Sequence, residues 1–160
     1  MTTAESVTKK IIEKNLTITF MESCTSGLLA SMFTDTAGAS AVFKGSLVTY
    51  SNEMKIAAGV PSETIERFGV YSSECARAMA ETAGKIYGSD IAVAITGTTG
   101  NADPANAGSV LGKAFFCIVA CGEIYDFVIE ENVSALSRKE IKQLYADRVY
   151  GELEKILKQI

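Results

Sequence analysis

Residues 16–29 read LTITFMESCTSGLL, and the fold turns on how that stretch divides. Leu16 to Met21 is a β-branched and aromatic run, which suits a buried strand. The residues that follow, SGLLASMFTD, carry the spacing of a helix. Between them stand Glu22, Ser23, Cys24, Thr25 and Ser26, hydroxyl-rich and placed where a helix N-terminus needs acceptors for its unsatisfied amides. A strand passing straight into a helix is the opening of an α/β layer.

Outward from this stretch the same alternation recurs. Thr2 to Lys14 places Val7, Ile11 and Ile12 at helical spacing and ends at Asn15. Gly45 to Tyr50 reads as a second strand, Asn52 to Gly59 as a short helix stopped by Gly59 and Pro61, and Ser62 to Phe68 as another. Ser72 to Tyr87 sets Ala76, Met79, Ala80 and Ala83 on one face and closes at Gly88. Ile91 to Thr96 is an apolar strand that runs into the turn-rich GTTGNADPANAGS. Lys113 to Cys121 and Ile124 to Glu130 read as a hairpin around Gly122 and Glu123, and Ser137 to Leu157 as the closing helix. The expectation is a three-layer α/β/α sandwich with a mixed, mostly parallel sheet of about five strands, forming one domain over residues 1–160.

Composition narrows the chemistry. Nineteen acidic against 15 basic side chains give a net charge of −4, so no broad cationic surface invites nucleic acid or an anionic membrane. Apolar runs such as Ala114 to Cys121 fall far short of the roughly 20 residues that span a bilayer, and no signal pattern precedes the first helix, which predicts a cytoplasmic protein. There is no histidine, which removes the base of Ser-His-Asp and Cys-His catalysis and the commonest metal ligand. Four cysteines without a CxxC pair predict neither a metal site nor a disulfide framework, and Cys117 and Cys121, four apart on one strand, are expected in the core.

In α/β sheets ligands collect at the carboxyl ends of strands, and three such ends carry ESCTSG, YSNEMK and TGTTGN. Ser23 is either a helix cap or a nucleophile beside oxyanion-stabilising amides, and without histidine its base would be Lys55, which otherwise is a surface lysine. Cys24 is the rival nucleophile or a core thiol. The TGTTGN loop is a plain turn or a set of N–H donors, and Arg138 is a solvated side chain or an anion contact.

Taken together and in order, these loops resemble the CinA C-terminal domain family, the nicotinamide-nucleotide amidases. FMESCTSGLLA at Phe20 to Ala30 is similar to the family's AESCTGG segment, and TDTAGASAVFKGSLVTYSNEMK at Thr34 to Lys55 to its TD-x-x-G-S-S-x-x-F…V-x-YSNE-x-K segment. Thr96 to Asn101 resembles the S/T-G-I-A-G-P loop, and Arg138 aligns with the arginine of G-D-R. Ser26 stands in place of the first glycine of TGG, Asn101 in place of the proline, ADPANAGSV in place of a GG-rich stretch, Leu136-Ser137 in place of Gly-Asp, and Lys142 in place of a second arginine. The resemblance implies deamidation of nicotinamide mononucleotide by a Ser23–Lys55 dyad, with Thr25, Ser26, Gly27, Tyr50, Thr98 and Arg138 contacting substrate. It implies no cofactor and no metal, a small pyridine nucleotide as ligand, and a homo-oligomer. Larger members add a nucleotide-pyrophosphatase domain, so a chain of this length is expected to hold the amidase module alone. The departures motivate the alternative of a relative that binds a nucleotide without turning it over, or that acts on another amide.

Overall fold

The computed structural model describes residues 1–100 and 103–160; Asn101, singled out above, lies outside the described residues. Strand β1 (Ile18–Glu22) is buried along its whole length and stands near the middle of a five-stranded sheet. Strands β2 (Phe43–Val48) and β3 (Ile91–Gly97) flank it in parallel, and β4 (Lys113–Ala120) and β5 (Glu123–Glu130) extend the sheet antiparallel beyond β3, giving the order β2-β1-β3-β4-β5. The expected mixed sheet is present: the β1–β2 and β1–β3 pairings are parallel, the two pairings beyond β3 antiparallel, and only β4 opposes the direction of the others.

From β1 the chain moves to one side to form β2, then returns past β1 to form β3. Because crossovers between parallel strands are right-handed, the helices of those two connections must lie on opposite faces. They do: α2 (Leu28–Thr34) packs on one face with α1 (Thr3–Lys14) and α6 (Arg138–Leu157), whereas α5 (Ser73–Tyr87) packs on the other. The two-residue period of the strands serves both layers, so Phe20, Val93 and Ile95 face α1, α2 and α6 while Met21 and Ala94 face α5. Each large side chain so buried contributes roughly 1.5–3 kcal/mol. Small residues on both sides of the α5 contact, Ala76, Ala80 and Ala83 against Ala92 and Ala94, bring that helix close to the sheet. Short helices α3 (Asn52–Ala58) and α4 (Ser62–Phe68) precede α5 in the second crossover.

The hairpin differs from expectation by one residue. Its two-residue turn is Cys121–Gly122, with φ of 50° and 87°, the double left-handed geometry that matches strand twist. Cys121 is therefore exposed at the turn instead of sharing the buried face of Cys117, which corrects its assignment to the core.

Reversal of direction between the β1–β2 and β2–β3 connections leaves a crevice outside the carboxyl ends of β1 and β3, the usual place for a ligand in such sheets. No helix among the described residues is long and apolar enough to cross a membrane.

Candidate active site

Immediately after β1 the backbone turns through Ser26, at a φ of 48°, and Gly27, at a φ of 99°, before α2 begins. The expected hydroxyl cap is not what terminates this helix. Gly27 occupies the cap position, and the fully buried carboxylate of Glu22 takes over: Oε1 accepts from Leu29 N at 2.9 Å and Oε2 from Ala30 N at 3.1 Å. An anion serves two first-turn amides at once and matches the positive end of the helix dipole, which a single hydroxyl does less well. Thr25 turns inward and donates its hydroxyl to Glu22 Oε1 at 2.7 Å. Ser23, whose N–H donates to Ile95 O at 3.1 Å, is thereby fixed between β1 and β3.

Lys55 approaches from α3. Ser51 caps that helix through Met54 N, and the turn that follows directs Lys55 into the protein, where it is 1% exposed. Its Nζ lies 3.1 Å from Ser23 Oγ, 2.8 Å from Thr49 O and 3.3 Å from Tyr50 O. No carboxylate forms an ion pair with it among the described residues. Burial lowers its pKa from the ordinary 10.5, against smaller opposing influences from Cys75, Cys24 and Asp103. A neutral amine has two N–H donors and one lone pair; two carbonyls and one hydroxyl are the complement of that set. Cys24 is buried, and burial pushes its thiol up to about 12, so it stays protonated, as a core thiol does.

A cavity of about 730 Å³ opens over Ser23. Tyr50, Thr98 and Arg138 line it, as three of the six residues expected at the substrate do. Thr25, Ser26 and Gly27 do not: Thr25 is committed to Glu22, Ser26 Oγ accepts from Lys142 Nζ at 2.7 Å, and Gly27 serves the turn into α2. Arg138 Nη2 donates to Tyr50 OH at 2.8 Å, which joins the start of α6 to the YSNEMK segment. Thr98 is 5% exposed, its Oγ1 has no hydrogen-bond partner among the described residues, and its carbonyl accepts from Tyr145 OH at 2.7 Å. A second hollow, of about 510 Å³, runs between α4 and α5 and is lined by none of the expected site residues.

One wall was not anticipated. Asp103 Oδ2 accepts from Tyr71 OH and from Asn106 Nδ2, both at 2.7 Å, and Oδ1 accepts from Ala105 N at 2.9 Å. Asn106 Oδ1 in turn accepts from Asn52 Nδ2 at 2.6 Å, tying this loop to the first turn of α3. The hydrogen bonds from Asn106 and Tyr71 hold the Asp103 carboxyl below its usual range, while burial and that carboxylate raise the Tyr71 phenol. The Asp-Pro-Ala-Asn string carried a signal for this arrangement, since an aspartate commonly bonds its own backbone two residues on. Among the described residues no group of three His, Cys, Asp or Glu side chains is arranged to hold a metal ion.

The chain is 39% identical over 158 residues to a Mycoplasma pneumoniae protein called "Protein MG115 homolog", covering 98% of each. A "CinA-like protein" of Fervidobacterium nodosum is 46% identical over 112 residues, 69% of this chain and 27% of that longer one. Among solved structures, the competence/damage inducible protein CihA of Agrobacterium tumefaciens superposes with a TM-score of 0.85 at 28% identity, covering 97% of this chain and 96% of that one. A CinA superfamily protein of Klebsiella pneumoniae superposes at 0.90 and 24% identity over 99% and 97% of the two chains, a likeness of fold. The profile of the CinA C-terminal domain matches residues 1–157, and with these relatives in agreement the chain belongs to the CinA C-terminal domain family.

Proposed function

We propose that this chain is a cytoplasmic amidohydrolase that converts nicotinamide mononucleotide to nicotinic acid mononucleotide and ammonia. The observation that carries the proposal is the contact of 3.1 Å between Ser23 Oγ and a lysine amine that is buried and free of any carboxylate partner among the described residues. Family resemblance supplies the substrate, and the geometry of the cavity is compatible with it.

The chemistry follows from the groups present. Neutral Lys55 takes the Ser23 hydroxyl proton as Oγ attacks the carboxamide carbon, and the carbonyl oxygen becomes an oxyanion beside the amides that follow Ser23. Protonated Lys55 then gives its proton to the amide nitrogen, the C–N bond breaks, and ammonia leaves an ester on Ser23. Water attacks this ester, Lys55 again accepting the proton, and the carboxylate product departs as Ser23 recovers its hydrogen. Thr49 O and Tyr50 O hold the amine on line through both halves. The Thr98 hydroxyl, without a hydrogen-bond partner among the described residues, supports a contact to the carboxamide, and Arg138, held by Tyr50, supports one to the phosphate.

Ammonia release from purified protein and nicotinamide mononucleotide tests the reading. Wild type and Cys24→Ala should release it, and Ser23→Ala and Lys55→Ala should not. No release from wild type, or release retained by folded Ser23→Ala, would sink it.

A further inference from the structure

Two opposite charges stand in the cavity without neutralising each other. Arg138 and Asp103 both line it, and neither takes part in an ion pair among the described residues. Each is instead oriented by a tyrosine: Arg138 donates to Tyr50 OH at 2.8 Å, and Asp103 accepts from Tyr71 OH at 2.7 Å. Asn106 Nδ2 and Ala105 N complete the hold on Asp103, and all three of its donors are neutral. Neutral donors fix a carboxylate in place and leave its charge intact, and a concave wall focuses the field of such a charge into the cavity. The remaining carboxylate on the lining, Glu53, is exposed, so water screens it.

We infer that Asp103 is a specificity-determining residue that selects amides carried on a positively charged ring, while Arg138 takes the anionic end, so that the site prefers a zwitterion. This rests on the pyridine-nucleotide reading above and deepens it: the choice is for the cationic pyridinium against the same nucleotide with a neutral, reduced ring. Hydrolysis turns a neutral carboxamide into a carboxylate, so the same residue disfavours the product, which carries one more negative charge than the substrate.

Calorimetric titration of Ser23→Ala protein, in which turnover cannot intervene, compares nicotinamide mononucleotide with its reduced dihydropyridine form. The two ligands share the phosphate, ribose and carboxamide. The cationic form should bind more tightly. Asp103→Asn in the same background should weaken it about tenfold while leaving the neutral form within about twofold, and should tighten binding of the nicotinic acid product. Tyr71→Phe keeps the carboxylate but removes one of its three donors, and should cause a smaller loss confined to the cationic ligand. Equal losses for both ligands in variants with unchanged thermal unfolding, or no loss in either, would overturn the assignment. So would failure of both ligands to bind the parent protein. Binding without ammonia release by wild type would remove the hydrolase reading alone, and the ratio of the two affinities would still decide the role of Asp103.

Discussion

Replacing Gly100 with alanine probes the anion end of the site without touching a reacting group. A Cβ built at Gly100 lies 2.5 Å from Arg138 Nη1, and ordinary contact begins at 3.4 Å, so the guanidinium must retreat by about 0.9 Å. The obstacle is the tip of a flexible side chain, and the Gly100 backbone is outside the left-handed region, so stability should change by no more than about 0.5 kcal/mol. Ligand binding should change far more. Charge-assisted bonds to phosphate need donors near 2.7–2.9 Å, and one such bond is worth roughly 1.5–3 kcal/mol, which corresponds to about a 10- to 150-fold loss of affinity. The retreat also strains the 2.8 Å contact to Tyr50 OH. The assay is KM for nicotinamide mononucleotide beside that for the riboside lacking phosphate, in wild type, Gly100→Ala, Arg138→Ala and the double variant. Only the phosphorylated substrate should suffer, and the double variant should be no worse than Arg138→Ala. Unchanged KM in Gly100→Ala, or losses that add in the double variant, would refute the placement of the phosphate at Arg138.

Other consequences are as direct. Glu22→Ala orphans the buried Thr25 hydroxyl and Leu29 amide and the half-buried Ala30 amide, and should cost about 3–5 kcal/mol, seen as a lower denaturant midpoint at unchanged slope. The lowered pKa of Lys55 has two signatures. Activity limited by the neutral amine should rise with pH and level off below the ordinary lysine value of 10.5. Stability should also rise with pH between the lowered pKa and 10.5, because there the unfolded chain holds a proton that the native chain has released. Lys55→Met should flatten that slope relative to wild type in urea unfolding measured across the interval.

Much of this architecture is legible in residue patterns, because periodicity is a local property. The β-branched and aromatic run of β1, the alanine face of α5 and the capping serines at positions 51, 72 and 137 are all written within a few neighbours of themselves. The residues that escaped depend on partners far along the chain. Glu22 looks like a solvated acid until the turn folds it under α2, and Cys121 looks like a strand residue until the hairpin places it in a conformation that asparagine or glycine more often occupies. The pairing of Asp103 with Tyr71, and of Asn106 with Asn52, joins segments that no spacing rule connects. Ser23 and Lys55 were legible as candidates, yet what distinguishes the lysine from a surface one is its burial, a tertiary quantity.

Helix α6 reaches each of the loops that make the crevice: Arg138 meets Tyr50, Lys142 meets Ser26, Tyr145 holds the Thr98 carbonyl, and Tyr150 donates to Leu29 O at 2.7 Å. It is also the last element in the chain order. A ribosome that has finished β5 has therefore made both Ser23 and Lys55 but not the helix that supplies these four contacts. A polypeptide cut before Arg138 would lose one wall of the cavity together with the two tyrosine hydroxyls that hold Thr98 O and Leu29 O.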